Sequence, residues 1–212
     1  MTTTHHLVRI VAIVGIDGAG KTTQARLLTA WLVAQGYAAA YWPNPGGRRW
    51  FGRLAQRLGR RDARDLLGTT GLLVVETALR WAGMARALIV SRVRREIAVM
   101  DRYAACQYAS IRVHNARTER PARWLFRTLP EPDLMVFLAI APERAYTRIE
   151  TRGTDHEELD YLTATDAAYR ALPEASRYVV VDADRDETVV QRELRTIAEM
   201  LKHPAHTPTF GV

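Results

Sequence analysis

Residues 7–24, LVRIVAIVGIDGAGKTTQ, decide how this chain folds. The first eight of them are nearly all apolar and mostly β-branched, a composition typical of a strand buried on both faces of a parallel sheet. A glycine-rich turn follows, and beyond it apolar residues recur at helical spacing, at Ala25, Leu28, Leu32 and Val33. Gly36 is a natural stop for that helix. The stretch therefore predicts a strand, a tight loop and a helix in direct succession.

The loop itself fits the pattern G-x-x-x-x-G-K-[ST]. Glycines adopt backbone conformations that other residues resist, so consecutive N–H groups can converge on phosphate oxygens, and the following helix adds its positive end. The pattern predicts that Lys21 reaches the β- and γ-phosphates of a nucleoside triphosphate and that the Thr22 hydroxyl ligates Mg²⁺. The predicted triphosphate-binding residues are Gly15, Asp17, Gly18, Ala19, Gly20, Lys21, Thr22 and Thr23.

Further strands and helices alternate along the rest of the chain. Strands are predicted over residues 37–42, 97–100, 134–140 and 177–181, and helices over 69–94, 103–116, 142–151, 159–172 and 187–201. This order predicts an α/β fold of the P-loop NTPase type, a five-stranded parallel sheet with helices on both faces. We expect a single domain over residues 1–212, with a short lid at about 148–160 and a flexible tail at about 203–212.

Composition narrows the class of protein. The 48% of apolar residues suffice for a core, whereas no apolar run approaches the roughly 18 residues of a membrane span. The start lacks the order of a secretory signal, and a lone cysteine, Cys106, is typical of a reducing compartment. We therefore predict a cytoplasmic protein without a membrane partner.

The formal charge of +7 favours binding to nucleic acid, to a membrane surface or to small anions. All basic residues except Lys21 and Lys202 are arginine. Aromatic residues are scattered among these arginines without the spaced series of a single-strand-binding surface. Small anionic substrates are therefore predicted, and nucleic acid is not.

Asp101 is the second candidate for phosphate chemistry. It directly follows the predicted strand at 97–100, and ligands of open α/β sheets bind at the carboxyl ends of strands. A carboxylate there can hold Mg²⁺ directly or through water. An aspartate after a strand is otherwise often a turn or cap residue, but its pairing with the phosphate loop favours a metal role.

Four segments along the chain carry a family resemblance. They are residues 15–24, Pro45-Gly46-Gly47, Asp101-Arg102-Tyr103, and Pro132-Asp133-Leu134 leading to Arg148, Arg152, Gly153 and Asp155. In this order they resemble the thymidylate kinase family of nucleoside-monophosphate kinases. The resemblance implies transfer of the γ-phosphoryl group of ATP to the phosphate of a nucleotide, and it implies a homodimer.

The resemblance also implies roles for individual side chains. Asp17 is expected near the acceptor's sugar and the metal, and Arg102 is expected to hold the acceptor's phosphate. Arg148 and Arg152 are expected to close over the migrating phosphoryl group, and with Arg144 they lie along one helix face. The remaining residues expected at the acceptor are Arg80, Cys106 and Gln107.

Departures from the family pattern fall mostly on the acceptor side. Pro43 and Asn44 replace an arginine and a glutamate, Ser110 replaces a tyrosine, and His156 replaces an arginine of the lid. The family's helix that contacts the base usually carries an aromatic residue followed by an arginine. Arg80 can stand for that arginine, but the stacking aromatic is absent unless Trp81 supplies it. Because polar groups in a base pocket discriminate strongly, we predict that the acceptor is dTMP or a related or modified pyrimidine nucleotide. A P-loop kinase of a non-nucleotide acceptor and a catalytically inactive regulatory protein remain as alternatives.

Overall fold

The computed structural model of the chain describes residues 9–44, 63–114, 117–153 and 157–200. Several segments to which the sequence assigned a role lie outside these residues. They are the Pro45-Gly46-Gly47 turn, Asp155 and His156 of the expected lid, and the tail at 203–212.

Five parallel strands form one sheet in the described part of the chain. They are β1 (Ile10–Val14), β2 (Ala39–Pro43), β3 (Ile97–Asp101), β4 (Leu134–Ala139) and β5 (Val179–Asp182), in the order β2-β3-β1-β4-β5. All five residues of the central strand β1 are buried. Successive side chains of a strand point to opposite faces, so both faces of the sheet are covered here, as predicted.

The helices that surround the sheet alternate with its strands. They are α1 (Lys21–Ala34), α2 (Ala63–Arg94), α3 (Ala104–Val113), α4 (Glu119–Phe126), α5 (Pro142–Arg152), α6 (Leu159–Arg170) and α7 (Glu187–Met200), with a 3₁₀ helix at Pro173–Arg177. This alternation confirms the predicted α/β class. Among the described residues, no helix is both long and apolar enough to cross a membrane.

Parallel pairing determines where the functional groups lie. Ile13 of β1 is opposite Asp101 of β3 and opposite Val136 of β4. Because all the strands run the same way, the loop after β1 and the end of β3 lie at the same edge of the sheet. The sheet therefore brings the glycine-rich loop and Asp101 together.

The buried face of α2 differs from the predicted one. Helical spacing predicts that one side of this helix is formed by Leu73, Thr77, Ala78, Trp81, Ala85, Leu88 and Ile89. Leu73, Thr77 and Leu88 are buried as that spacing requires, whereas Ile89 is 63% exposed, so the prediction was wrong at Ile89. The structure also buries Glu76 and Arg80, which that spacing did not include. Hydrophobic periodicity could not identify a face on which charged side chains are buried. The helix also begins earlier than predicted and kinks at Gly68, where φ is 67°.

A carboxylate fastens the start of β1 to the start of β4. Oδ2 of Asp133 accepts the backbone N–H groups of Arg9 and Ile10, each at 2.8 Å. The Asp133 N–H donates in turn to the Ile10 carbonyl at 3.0 Å. Hydrogen bonds to a charged group are stronger than neutral ones, so this contact holds β1 and β4 in register.

Replacing Asp133 should therefore weaken the fold. We expect Asp133→Ala to lower the free energy of unfolding by about 1–2 kcal/mol, because two backbone donors lose a charged acceptor. The matched control is Glu131→Ala, which removes an exposed ion pair with Arg177, a kind of contact worth about 0–1 kcal/mol. Urea unfolding followed by circular dichroism measures both, and equal small losses would contradict the assignment.

Candidate active site

The loop between β1 and α1 packs so closely that two of its glycines admit no side chain. A β-carbon on Gly15 would lie 2.8 Å from the Leu138 carbonyl oxygen, and one on Gly18 would lie 2.5 Å from that of Ala145. Both residues have positive φ angles, 144° and 84°, which favour glycine. The loop is thus held between β4 and α5, and α1 begins directly after it at Lys21.

Lys21 is almost fully buried, with 5% of its side chain exposed. Its ammonium donates to the Ile16 carbonyl at 2.6 Å and to Oδ1 of Asp17 at 3.0 Å. Burial lowers the pKa of Lys21, and the neighbouring Asp17 carboxylate opposes that effect. The ammonium group of Lys21, the first residue of α1, therefore lies against the loop, where the predicted phosphates would bind.

Arg102 shares the same carboxylate oxygen. One of its terminal nitrogens donates to Oδ1 of Asp17 at 2.5 Å. Burial alone would raise the pKa of Asp17, but Lys21 and then Arg102 outweigh it and hold that pKa well below its usual range. Asp17 therefore joins the lysine of the phosphate loop to the arginine of the D-R-Y segment.

Arg102 reaches Asp17 from an unusual backbone conformation. Its φ angle is 82°, in the left-handed region that costs a non-glycine residue of order 1–3 kcal/mol. Its backbone N–H donates to the Ile13 carbonyl at 3.1 Å, which pins the turn to β1. Such strain is typical of functional sites, where surrounding contacts impose the conformation.

Thr22 of α1 and Asp101 of β3, the two residues predicted to serve Mg²⁺, are in direct contact. The Thr22 hydroxyl donates to Oδ2 of Asp101 at 2.5 Å. The Tyr41 hydroxyl donates to the same oxygen at 3.0 Å, whereas Oδ1 of Asp101 is buried and has no hydrogen-bond partner among the described residues. An unpaired carboxylate oxygen beside a hydroxyl suits Mg²⁺, which prefers hard oxygen ligands. These residues therefore fit the metal that the loop pattern implies.

The arginines of α5 face the phosphate loop across a cleft of about 350 Å³, a volume in the usual range of small-molecule sites. Gly18, Gly20 and Thr23 line one side, and Arg148 and Arg152 line the other. Arg148 donates to the Ala183 carbonyl at 3.0 Å. Arg144, on the same helix face, forms an exposed ion pair with Asp184. Of this row, Arg148 and Arg152 are therefore the two arginines that border the cleft.

Arg80 is a residue of α2 whose guanidinium lies beside Asn44, just after the end of β2. Its guanidinium donates to the Asn44 carbonyl at 3.1 Å, and the Asn44 amide donates to the Arg80 carbonyl at 3.4 Å. The indole N–H of Trp81 donates instead to the Thr128 hydroxyl, beyond α4. The two side chains leave α2 in different directions, so the structure gives no support to Trp81 as a stacking group beside Arg80.

The other two residues expected at the acceptor lie on α3, one turn beyond Arg102. Gln107 is fully buried, and its amide donates to the Thr77 hydroxyl at 2.9 Å and to the Leu73 carbonyl at 3.3 Å. Cys106 is buried, and it acts electrostatically on Tyr169 of α6. The pKa of Tyr169 is raised, mainly by burial and next by the neighbouring Cys106.

Tyr41 and Tyr169 are the polar neighbours of the site that sequence reasoning missed. Tyr41 stands in an apolar strand, and Tyr169 stands in a helix without a motif. Nothing in either local pattern distinguishes these tyrosines from core residues. Their positions follow only from how β2 pairs with β3 and how α6 packs on α3.

A larger hollow, of about 530 Å³, lies between α3, α4 and the loop before β4. Tyr103, Tyr108 and Phe126 contribute rings to it, and the ion pair between Arg123 and Glu174 joins two of its lining residues. None of the predicted site residues lines this hollow. The smaller cleft is the one that borders the candidate active site, because glycines of the phosphate loop and arginines of α5 line it.

Comparisons with known proteins agree with this geometry. The sequence pattern described as thymidylate kinase matches residues 13–194. A probable thymidylate kinase of Archaeoglobus fulgidus is 30% identical, over 90% of this chain and 94% of that protein. A thymidylate kinase of Xanthomonas euvesicatoria is 31% identical, over 94% of this chain and 89% of that protein. A thymidylate kinase of Roseiflexus castenholzii is also 31% identical, over 89% of this chain and 92% of that protein. The chain therefore belongs to the thymidylate kinase family.

Proposed function

We propose that this protein transfers the γ-phosphoryl group of ATP to the phosphate of dTMP or of a related pyrimidine nucleotide. The observation that carries the proposal is the shared contact at Asp17. One carboxylate oxygen binds both Lys21, a cation of the donor loop, and Arg102, the cation expected at the acceptor. The names of the relatives support dTMP as the acceptor.

Phosphoryl transfer requires positioning and neutralised charge more than covalent help. The loop amides and Lys21 bind the β- and γ-phosphates of the donor, and Arg102 binds the acceptor's phosphate through its planar fork. Arg148 and Arg152, across the cleft from the loop, stabilise charge on the migrating group. These roles account for Arg102, Arg148 and Arg152, three of the arginines that the resemblance assigned.

Thr22 and Asp101 are the residues that would hold Mg²⁺. When bound, the metal neutralises phosphate charge and orients the donor. The Thr22 hydroxyl has one proton, which Asp101 accepts, so its lone pairs are left for a cation. Asp101 contributes a negative charge beside them.

The alternatives gain no support from the described site. A catalytically inactive protein has no need for an intact set of catalytic groups, yet Asp17, Lys21 and Arg102 are in contact and so are Thr22 and Asp101. A cytoplasmic location, a homodimer and a single domain over residues 1–212 remain predictions from the sequence.

The test is ADP release from ATP and Mg²⁺ across a panel of acceptors. The panel holds dTMP, dUMP, UMP, CMP, dCMP, AMP, GMP and hydroxymethylated pyrimidine nucleotides. We expect the highest kcat/KM with dTMP or with another pyrimidine nucleotide. Tight ATP binding without turnover of any acceptor would contradict the proposal.

Lys21→Ala should abolish turnover without unfolding the protein. We expect kcat/KM to fall at least about a thousandfold, equivalent to about 4 kcal/mol of transition-state stabilisation. Thermal unfolding should stay close to that of the parent, because Arg102 still pairs with Asp17. Undiminished turnover by the folded variant would refute the assignment of the phosphate loop.

Arg102→Ala should mainly raise the acceptor KM, by at least about tenfold, or 1.4 kcal/mol. The ATP KM should change little. Arg102→Gly is the matched control, because glycine adopts a φ of 82° without strain, and it should show the same rise in KM. An unchanged acceptor KM with a normal kcat would remove Arg102 from the site, and a rise in the alanine variant alone would assign the effect to the backbone.

A further inference from the structure

Tyr41 and Asp101 lie on the same face of the sheet. Tyr41 of β2 pairs with Val99 of β3, and Pro43 pairs with Asp101. Paired residues share a face and alternate residues of a strand share it too, so Tyr41 is the diagonal neighbour of Asp101. The guanidinium of Arg26, on α1, lies 5.1 Å from the centre of the Tyr41 ring. The ring is therefore fixed between α1 and β3 with its hydroxyl on the carboxylate.

The two oxygens of Asp101 have different surroundings. Oδ2 accepts from the Thr22 hydroxyl at 2.5 Å and from the Tyr41 hydroxyl at 3.0 Å. Oδ1 is buried and accepts from nothing among the described residues. A buried carboxylate oxygen without a partner costs free energy unless a ligand satisfies it. The asymmetry leaves Oδ1 as the oxygen available to a cation or to its water.

Thr22 cannot maintain this asymmetry alone. Its side chain is a single hydroxyl on an exposed residue, and in the proposed function the same oxygen also serves the metal. A second donor on Oδ2 that does not take part in metal binding would keep the carboxylate from rotating about its terminal bond. Tyr41 is that donor.

We propose that Tyr41 is a positioning residue for Mg²⁺, which holds Asp101 by Oδ2 and leaves Oδ1 to the metal site. The inference rests on the proposed function, in which Asp101 serves Mg²⁺. Tyr41 itself does not touch the metal or the nucleotide in this scheme. Its hydroxyl contributes by fixing the orientation of the carboxylate before the metal arrives.

The neighbouring strand residue provides a matched control. Trp42 points to the other face of β2, and its indole N–H donates to the Ser91 hydroxyl of α2 at 2.8 Å. Tyr41→Phe and Trp42→Phe each remove one hydrogen-bond donor from the same strand while an aromatic ring is kept. Only Tyr41→Phe loses a contact with Asp101. A general loosening of β2 would affect both variants, whereas loss of the contact with Asp101 affects Tyr41→Phe alone.

The experiment compares the affinity for a non-hydrolysable ATP analogue with and without metal. Isothermal titration in EDTA and in saturating Mg²⁺ gives two dissociation constants, whose ratio reports how much the metal strengthens binding. We expect Tyr41→Phe to reduce this ratio about five- to tenfold and to leave the metal-free constant and the acceptor KM unchanged. Trp42→Phe should keep the parent's ratio even if its melting temperature falls.

Asp101→Asn separates failure of this inference from failure of the proposed function. One outcome is that Asp101→Asn has a lower ratio of the two dissociation constants than the parent, while Tyr41→Phe keeps the parent's ratio. The role of Tyr41 is then refuted, and the metal role of Asp101 stands. Equal reductions in Tyr41→Phe and Trp42→Phe would also refute it, because they would reflect strand packing. If Asp101→Asn keeps the parent's ratio, both the metal assignment and the role of Tyr41 are wrong.

Discussion

The contact of Lys21 and Arg102 with a single oxygen of Asp17 is the constraint on which the rest of the site depends. A buried ammonium loses its hydration, and a carboxylate within hydrogen-bond distance compensates for that loss. Asp17 does this for Lys21 at 3.0 Å and for Arg102 at 2.5 Å. Because the three residues come from the loop after β1 and the turn after β3, this one contact ties two segments of the sheet's edge together.

Lys21 and Arg102, the cations proposed to bind phosphate, are thereby held in place before any substrate arrives. Arg102 adopts a strained backbone conformation, and the hydrogen bond of its N–H to the Ile13 carbonyl helps to impose it. Fixed cations stabilise developing charge without reorganisation at the moment of reaction. In the proposed reaction, Lys21 would bind the donor's phosphates and Arg102 the acceptor's phosphate. Asp17, which contacts both cations, would then lie between the two substrates.

The donor side of the site could be predicted from the sequence because it is built from consecutive residues. A β-branched strand, glycines at fixed offsets and an amphipathic helix specify the loop from Gly15 to Thr22 locally. Asp101 was predicted because parallel strands end at one edge. Tyr41, Tyr169 and the buried face around Glu76 and Arg80 could not be predicted in this way. Their roles arise from pairing and packing between distant segments, which no local pattern records.

The acceptor side shows why departures from a family pattern are best interpreted together. Asn44 stands where the family has a glutamate, and it exchanges two hydrogen bonds with Arg80 of α2. The guanidinium of Arg80 thus lies near the end of β2. Glu76 and Thr77, on the same helix as Arg80, are also buried. Thr77 in turn accepts a hydrogen bond from Gln107 of α3. These hydrogen bonds link β2, α2 and α3. In the proposed function, we therefore attribute the acceptor preference to this network as a whole and not to a single residue.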